Sequence, residues 1–162
     1  MNKAEIYKYL DEHHISYIAV NHPPAYTVED ITRFNLPHPE CGAKNLFLRD
    51  EKKRNYYLLT VKDDTPVNIK RFQEKAGTRR LSFASEADLM DILGLIKGAV
   101  TPFGILNDKT RQVKVYIDSY FQNGQISVHP NDNTATIYLA MSDLLQIIQD
   151  HGNPVEFFAF EE

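Results

Sequence analysis

The chain has 162 residues, 43% of them hydrophobic and 25% charged, enough for one domain over 1–162 with a sizeable core and ordinary for a water-soluble fold. A net charge of −4 argues against gripping long nucleic acid by charge alone, so no DNA partner is expected, although a site for a single nucleic-acid end is compatible with it. The lone cysteine, Cys41, excludes an internal disulfide; no apolar run approaches the roughly 20 residues of a membrane span, and the charged N-terminus has no signal-peptide core, so a cytoplasmic protein is expected.

In chain order, Ile6, Tyr9, Leu10 and His13 recur at helical spacing behind Asn2, a capping residue. "ISYIAVNH" reads as a strand ended by Pro23-Pro24, and Thr27 with Asp30 three residues on reads as the cap of a short helix to Phe34. "KNLFLRD" and "NYYLLTV" form a predicted hairpin around the charged turn 50–54. A helix follows in "TPVNIKRFQEKAG", with Pro66 near its start and Gly77 past its end. "RLSFAS" is a short strand, and Ser85 with Asp88 caps "EADLMDILGL". "GAVTPFGILND" is a glycine-bounded connection with one apolar, strand-like end. "QVKVYID", "QISVHP" and "TATIYLA" are strands, "SDLLQIIQDHG" is a last helix stopped by Gly152, and "PVEFFAF" closes as a strand. Strands outnumber the crossovers that all-parallel winding needs, so an α/β (α+β) fold is expected, with a mixed, largely antiparallel central sheet wrapped by helices.

The chain carries no GxxxxGK[ST], no GxGxxG after a strand and no GxSxG elbow. His38 and Cys41, with His22 as a third group, have a ligand-like spacing, but one cysteine and scattered histidines make a poor metal set, and neither metal nor cofactor is expected. The segment from Lys62 to Arg80 holds six basic and three acidic residues, a balance of +3 that reads either as a solvated helix face or as a phosphate-facing patch. Three stretches also admit two readings. Lys44-Asn45 is either the solvated end of a strand or a pair of functional groups. The loop from Gly98 to Gly104 is either an ordinary turn or a backbone shaped to approach a ligand. His129, rigidified by Pro130 and followed by Asn131, Asp132 and Asn133, either closes a tight connection or presents an imidazole and amides to a pocket.

Taken in order, "NHPPAYTVED", "AKNLFLRD", "YYLLTV", "RLSFASEADLMDILGLIKGAVTPFGILND" and "VHPNDNTATI" resemble the YbaK/ProX family of free-standing aminoacyl-tRNA editing proteins, relatives of the editing domain inserted in bacterial prolyl-tRNA synthetases. The likeness runs over about residues 1–151, and the branch it most resembles clears alanine misattached to proline tRNA. It implies a mixed sheet wrapped by helices and hydrolysis of the ester that joins an amino acid to the terminal adenosine. It also implies catalytic roles for Lys44, Asn45 and His129. Substrate contacts would come from His22, Pro23 and Thr27, from Gly98, Thr101, Phe103 and Gly104, and from Asn133. The tRNA 3′ acceptor end is then the partner, with prolyl-tRNA synthetase a second candidate. Lys97-Gly98-Ala99 departs from the Pro-Gly-Ser type of sequence in many members, which leaves the pocket's size open.

The residue types suit that chemistry. An aminoacyl ester is already activated, so a site needs to hold the 3′ end, stabilise the developing oxyanion and admit water. Sparing proline while discharging alanine is a second sieve, needed because apolar pockets separate small side chains by only about 1–3 kcal/mol. The activity that the resemblance implies is an aminoacyl-tRNA deacylase acting on alanyl-tRNA(Pro). The alternatives are a deacylase for cysteine- or serine-charged tRNA and a non-catalytic module that binds tRNA ends, nucleotides or a protein.

Overall fold

The structure is a computed structural model and describes residues 1–160. Helix α1 (Lys3–Glu12) starts in a capping box between Asn2 and Glu5 and buries Ile6 and Leu10. Strand β1 (Tyr17–Asn21) follows, then α2 (Val28–Arg33), capped by Thr27, whose side chain accepts from the Asp30 amide. Strands β2 (Ala43–Asp50) and β3 (Tyr56–Lys62) form the predicted antiparallel hairpin, with Lys44 opposite Val61 and Asn45 opposite Thr60. Its turn closes on buried Asp50, which accepts from the Arg54 and Asn55 amides and the Asn55 side chain.

Helix α3 (Ile69–Ala76) begins three residues beyond Pro66, because Asn68 takes the capping position, and ends at left-handed Gly77. Strand β4 (Leu81–Phe83) leads into α4 (Glu86–Asp88), capped by Ser85, which passes into a π-turn over Leu89–Leu93. The segment expected to end in a strand is instead a 3₁₀ turn, Pro102–Asn107: Pro102 has no N–H to give a ladder, and the Thr101 hydroxyl accepts from the Phe103 amide. The chain continues through β5 (Val113–Asp118), β6 (Gln125–Val128), β7 (Ala135–Ala140), α5 (Met141–His151) and β8 (Val155–Phe158).

The fold class is the mixed one expected, but the strands divide between two sheets. One is antiparallel, in the order β1-β7-β6; the other runs β4-β2-β3-β5-β8, antiparallel through β3 and parallel beyond it. An isolated bridge between Gly42 and Ser127 links them, beside a hydrogen bond from the Ser127 hydroxyl to the Cys41 carbonyl. The larger sheet is covered on both faces, which explains the nearly continuous apolar run of its central strand β3. Leu58 and Phe47 face the main core, with Ile6, Phe103, Val115 and Ile137. Leu59, Val61 and Leu48 face a smaller core with Phe72 and Tyr116, whose rings meet edge-on at 4.9 Å.

Gly42 sits at the seam with an ordinary extended backbone, and what it lacks there is room. A Cβ on it would lie 2.2 Å from the Asp63 carboxylate and 3.3 Å from the Pro39 carbonyl oxygen. Lys62 Nζ holds the same carboxylate at 2.6 Å. Gly42→Ala is expected to displace Asp63 and destabilise the fold by about 1–3 kcal/mol, with Asp63→Ala relieving part of the cost in the double variant. Urea unfolding of the three variants checks this, and an unchanged midpoint for Gly42→Ala contradicts it.

Candidate functional site

Strand β4 is only three residues long and pairs with β2 at Leu48, Arg49 and Asp50 alone. The first half of β2 is therefore uncovered on that side, apart from the Gly42 bridge and an Ala84 amide that donates to the Phe47 carbonyl at 2.9 Å. A cavity of about 770 Å³ opens at this gap. Its walls come from four separate parts of the chain: residues 25–31 at α2, 43–47 of β2, 83–89 at the β4–α4 corner and the loop around Gly98. His129 completes the lining.

Lys44, Asn45, His129, Thr27 and Gly98 are brought together in this cavity. Lys44 is half-buried, and its ammonium makes no hydrogen bond or ion pair among the described residues. The side chain of Asn45 is oriented from across the hairpin: the Thr60 hydroxyl donates to its Oδ1 at 2.7 Å, so the amide NH₂ is the group left to donate. Thr60 itself is fully buried in β3.

His129 is fixed on both sides. Its Nδ1 donates to the Ala135 carbonyl at 2.9 Å, which leaves Nε2 as the unprotonated nitrogen, and its own carbonyl accepts from the Thr101 hydroxyl at 2.6 Å. Burial pushes its pKa below the ordinary imidazole value, outweighing the Ala135 hydrogen bond, and His22 adds to the depression. An acceptor at Nε2 is thus present at neutral pH. The unfolded histidine titrates near pH 6.5, so between that pH and the lower folded pKa the unfolded chain binds more protons. The contribution of this group to stability is complete above about pH 6.5 and declines as pH falls below it. If His129 works as an acceptor, activity follows the same direction: a plateau through neutrality and a fall on the acid side, with its midpoint below about 6.5. A pH–rate profile checks this, and a midpoint at or above 6.5 contradicts it.

The other predicted contact residues lie outside the cavity wall. His22 is pinned behind it: Nδ1 donates to the Pro23 carbonyl at 2.8 Å, Nε2 accepts from the Thr136 hydroxyl at 2.9 Å, and the ring lies 6.0 Å from that of His129. Pro23 is exposed beside it. Thr101 is buried and acts on the site through the His129 carbonyl. Phe103 is fully buried in the main core, and Gly104 packs inward, where a Cβ would come within 2.7 Å of Leu95. The Asn133 carbonyl accepts from the Ala25 amide at 3.0 Å, which ties the His129 loop to the segment ahead of α2. Its buried Nδ2 has no partner among the described residues.

Sequence reasoning missed several lining groups. Tyr26, Phe83, Glu86 and Lys97 line the cavity, as do Val28 and Ile31 from α2. A recess of about 50 Å³ adjoins it, sharing Val28, Ile31, Ala43, Asn45 and His129. None of the basic residues of the Lys62–Arg80 segment lines the cavity: Lys62 is paired with Asp63, and Arg71 and Lys75 border a separate hollow beside Phe158 and Phe160. Among the described residues, no group of three or more His, Cys, Asp or Glu is arranged to hold a metal ion, and no helix is long and apolar enough to cross a membrane.

An electrophile held in this cavity would meet an ammonium, an amide donor and a neutral imidazole, a set suited to ester hydrolysis by water. The aminoacyl-tRNA editing domain model matches residues 22–147. The chain is 42% identical over 152 residues to the prolyl-tRNA editing protein ProX of Acetoanaerobium sticklandii, covering 93% of each chain. It is 32% identical to the prolyl-tRNA synthetase associated domain-containing protein 1 of Bos taurus, over 88% of this chain and 86% of that one. Its fold matches the crystal structure of a proposed trans-editing enzyme for prolyl tRNA synthetase, with a TM-score of 0.74 at 16% identity, covering 100% of this chain and 98% of that one. The chain belongs to the aminoacyl-tRNA editing family and is an aminoacyl-tRNA deacylase.

Proposed function

We propose that residues 1–162 work as one cytoplasmic editing domain that hydrolyses the ester of alanyl-tRNA(Pro), with prolyl-tRNA synthetase as the source of the mischarged substrate. The observation that carries this reading is the convergence of Lys44, Asn45 and His129 on one cavity with a small recess beside it. The Asn45 amide, aimed by Thr60, donates to the oxyanion that forms when water attacks the carbonyl. The neutral His129 imidazole accepts a proton from that water, or from a ribose hydroxyl that orders it. Lys44 supplies a point charge to the terminal phosphate or to the same oxyanion.

The recess supports alanine as the amino acid. Its 50 Å³ is room for only a few water-sized groups, each needing about 10–15 Å³, and Val28, Ile31 and Ala43 give it an apolar wall that suits a methyl group. Asn45, Asp63, Ser127, His129 and Thr136 also border it, which makes serine the nearest competitor. A panel of tRNA(Pro) charged with alanine, serine or cysteine tests the assignment. Alanine is expected to be released fastest; faster release of serine or cysteine overturns the choice of amino acid, and no release of any overturns the proposed activity.

A further inference from the structure

Two large aromatic side chains stand in water where a stable fold would be expected to bury them. Tyr26 is 60% and Phe83 59% exposed, yet both line the main cavity. Burying such a ring is ordinarily favourable, so two of them left open at one cavity mark a surface that a flat apolar ligand can cover.

Neither ring is there through loose chain. The Tyr26 amide donates to the Asp30 carboxylate at 2.9 Å, and the preceding Ala25 amide donates to the Asn133 carbonyl. The Tyr26 ring also lies against Gly98, where a Cβ would come within 2.9 Å of it and where the backbone is left-handed, with φ of 87°. Gly98 thus serves the cavity by seating Tyr26. Phe83 ends β4 opposite Leu48, and the next amide is tied to β2 at Phe47. The backbone that carries each ring is thus fixed by hydrogen bonds, and both rings line the same cavity.

The charged groups at the same cavity narrow the ligand. Lys44 and Lys97 line it with a single carboxylate, Glu86, a balance suited to one phosphate. Aromatic faces that take a base, ammonium groups that take its phosphate and an amide–imidazole pair in the same cavity form a set that fits one nucleotide carrying an ester. Resting on the proposed deacylase reading, we infer that Tyr26 and Phe83 are the stacking platform for the unpaired 3′-terminal base of the tRNA, and that Lys97 faces its phosphate. Recognition of the terminal base then positions the ester at Asn45 and His129.

The test uses the full chain with Tyr26→Ala, Tyr26→Phe, Phe83→Ala and Lys97→Ala. A stacked base contributes about a tenfold change in binding toward the lower end of its usual range. Tyr26→Ala and Phe83→Ala are expected to raise KM about tenfold with kcat within a few-fold of wild type, and Tyr26→Phe to restore it. A 3′-aminoacylamide oligonucleotide with 2-aminopurine at its terminal position is expected to lose fluorescence on binding wild type and to keep it with either alanine variant. Lys97→Ala is expected to flatten the salt dependence of KM. An unchanged KM and an unquenched probe, with wild type hydrolysing mischarged tRNA, overturn the platform and leave the deacylase reading intact. Quenching by wild type without hydrolysis sustains the platform and overturns the deacylase reading.

Discussion

Lys44→Ala is expected to lower kcat/KM for alanyl-tRNA(Pro) by about 100- to 1,000-fold, the loss typical when one preorganised group that meets developing charge is removed. Stability should stay within about 0.5 kcal/mol, because the ammonium is engaged in no ion pair or hydrogen bond among the described residues and the strand is anchored by its neighbours. Leu46 and Leu48 pack in the smaller core and Phe47 in the main one, so the side chain can be truncated without moving its backbone. Lys44→Arg separates two roles. A guanidinium keeps the charge and can hold a phosphate, but it is larger and planar, so recovery of KM without recovery of kcat assigns the lysine to the ester oxygen. Single-turnover deacylation with each variant, alongside thermal unfolding, measures both. Full activity in a folded Lys44→Ala protein contradicts the role.

The second large effect falls on stability. Phe103→Ala is expected to cost about 3–5 kcal/mol, because the ring is fully buried among the main-core residues and its removal leaves a cavity that the core fills only in part. For a chain of this size that corresponds to a fall in Tm of about 6–20 °C. The resemblance put Phe103 among substrate contacts, along with Thr101 and Gly104. The positions of all three argue for a different role: all are buried and none lines the cavity, Phe103 packs in the main core, and Thr101 holds the His129 carbonyl. Calorimetry decides between the two. A KM effect with unchanged Tm would return Phe103 to the pocket.

Local signals in the sequence were read well where the physics is local. Asn2, Thr27 and Ser85 cap the helices they precede, and Gly77 and Gly152 adopt the left-handed backbone that ends helices. The hairpin around Asp50 was legible from two apolar runs and a charged turn. Division of the strands into two sheets was not, because sheet membership depends on pairings such as Tyr17 with Leu139 that no window of sequence contains. The run Phe103–Leu106 looked strand-like because a short apolar stretch has no decisive period, and Pro102 with the Thr101 cap tipped it into a 3₁₀ turn.

The candidate site divides in the same way. Lys44, Asn45 and His129 stood out from the residues themselves only as one of two readings, and the ordered resemblance decided between them. Thr60, which orients Asn45, was hidden in an apolar strand. Tyr26, Phe83 and Lys97 lie in stretches that carry the resemblance but were not singled out as site residues; their convergence comes from separate parts of the chain that meet only in the folded structure.

The central claim is that this cavity is a second sieve that discharges alanine and spares proline. The direct measurement compares single-turnover release of alanine and of proline from the same tRNA(Pro) by the wild-type chain. A recess of 50 Å³ predicts release of alanine faster by at least about 10- to 200-fold, the range that a single methylene produces in an apolar pocket. Equal rates, or faster release of proline, contradict it.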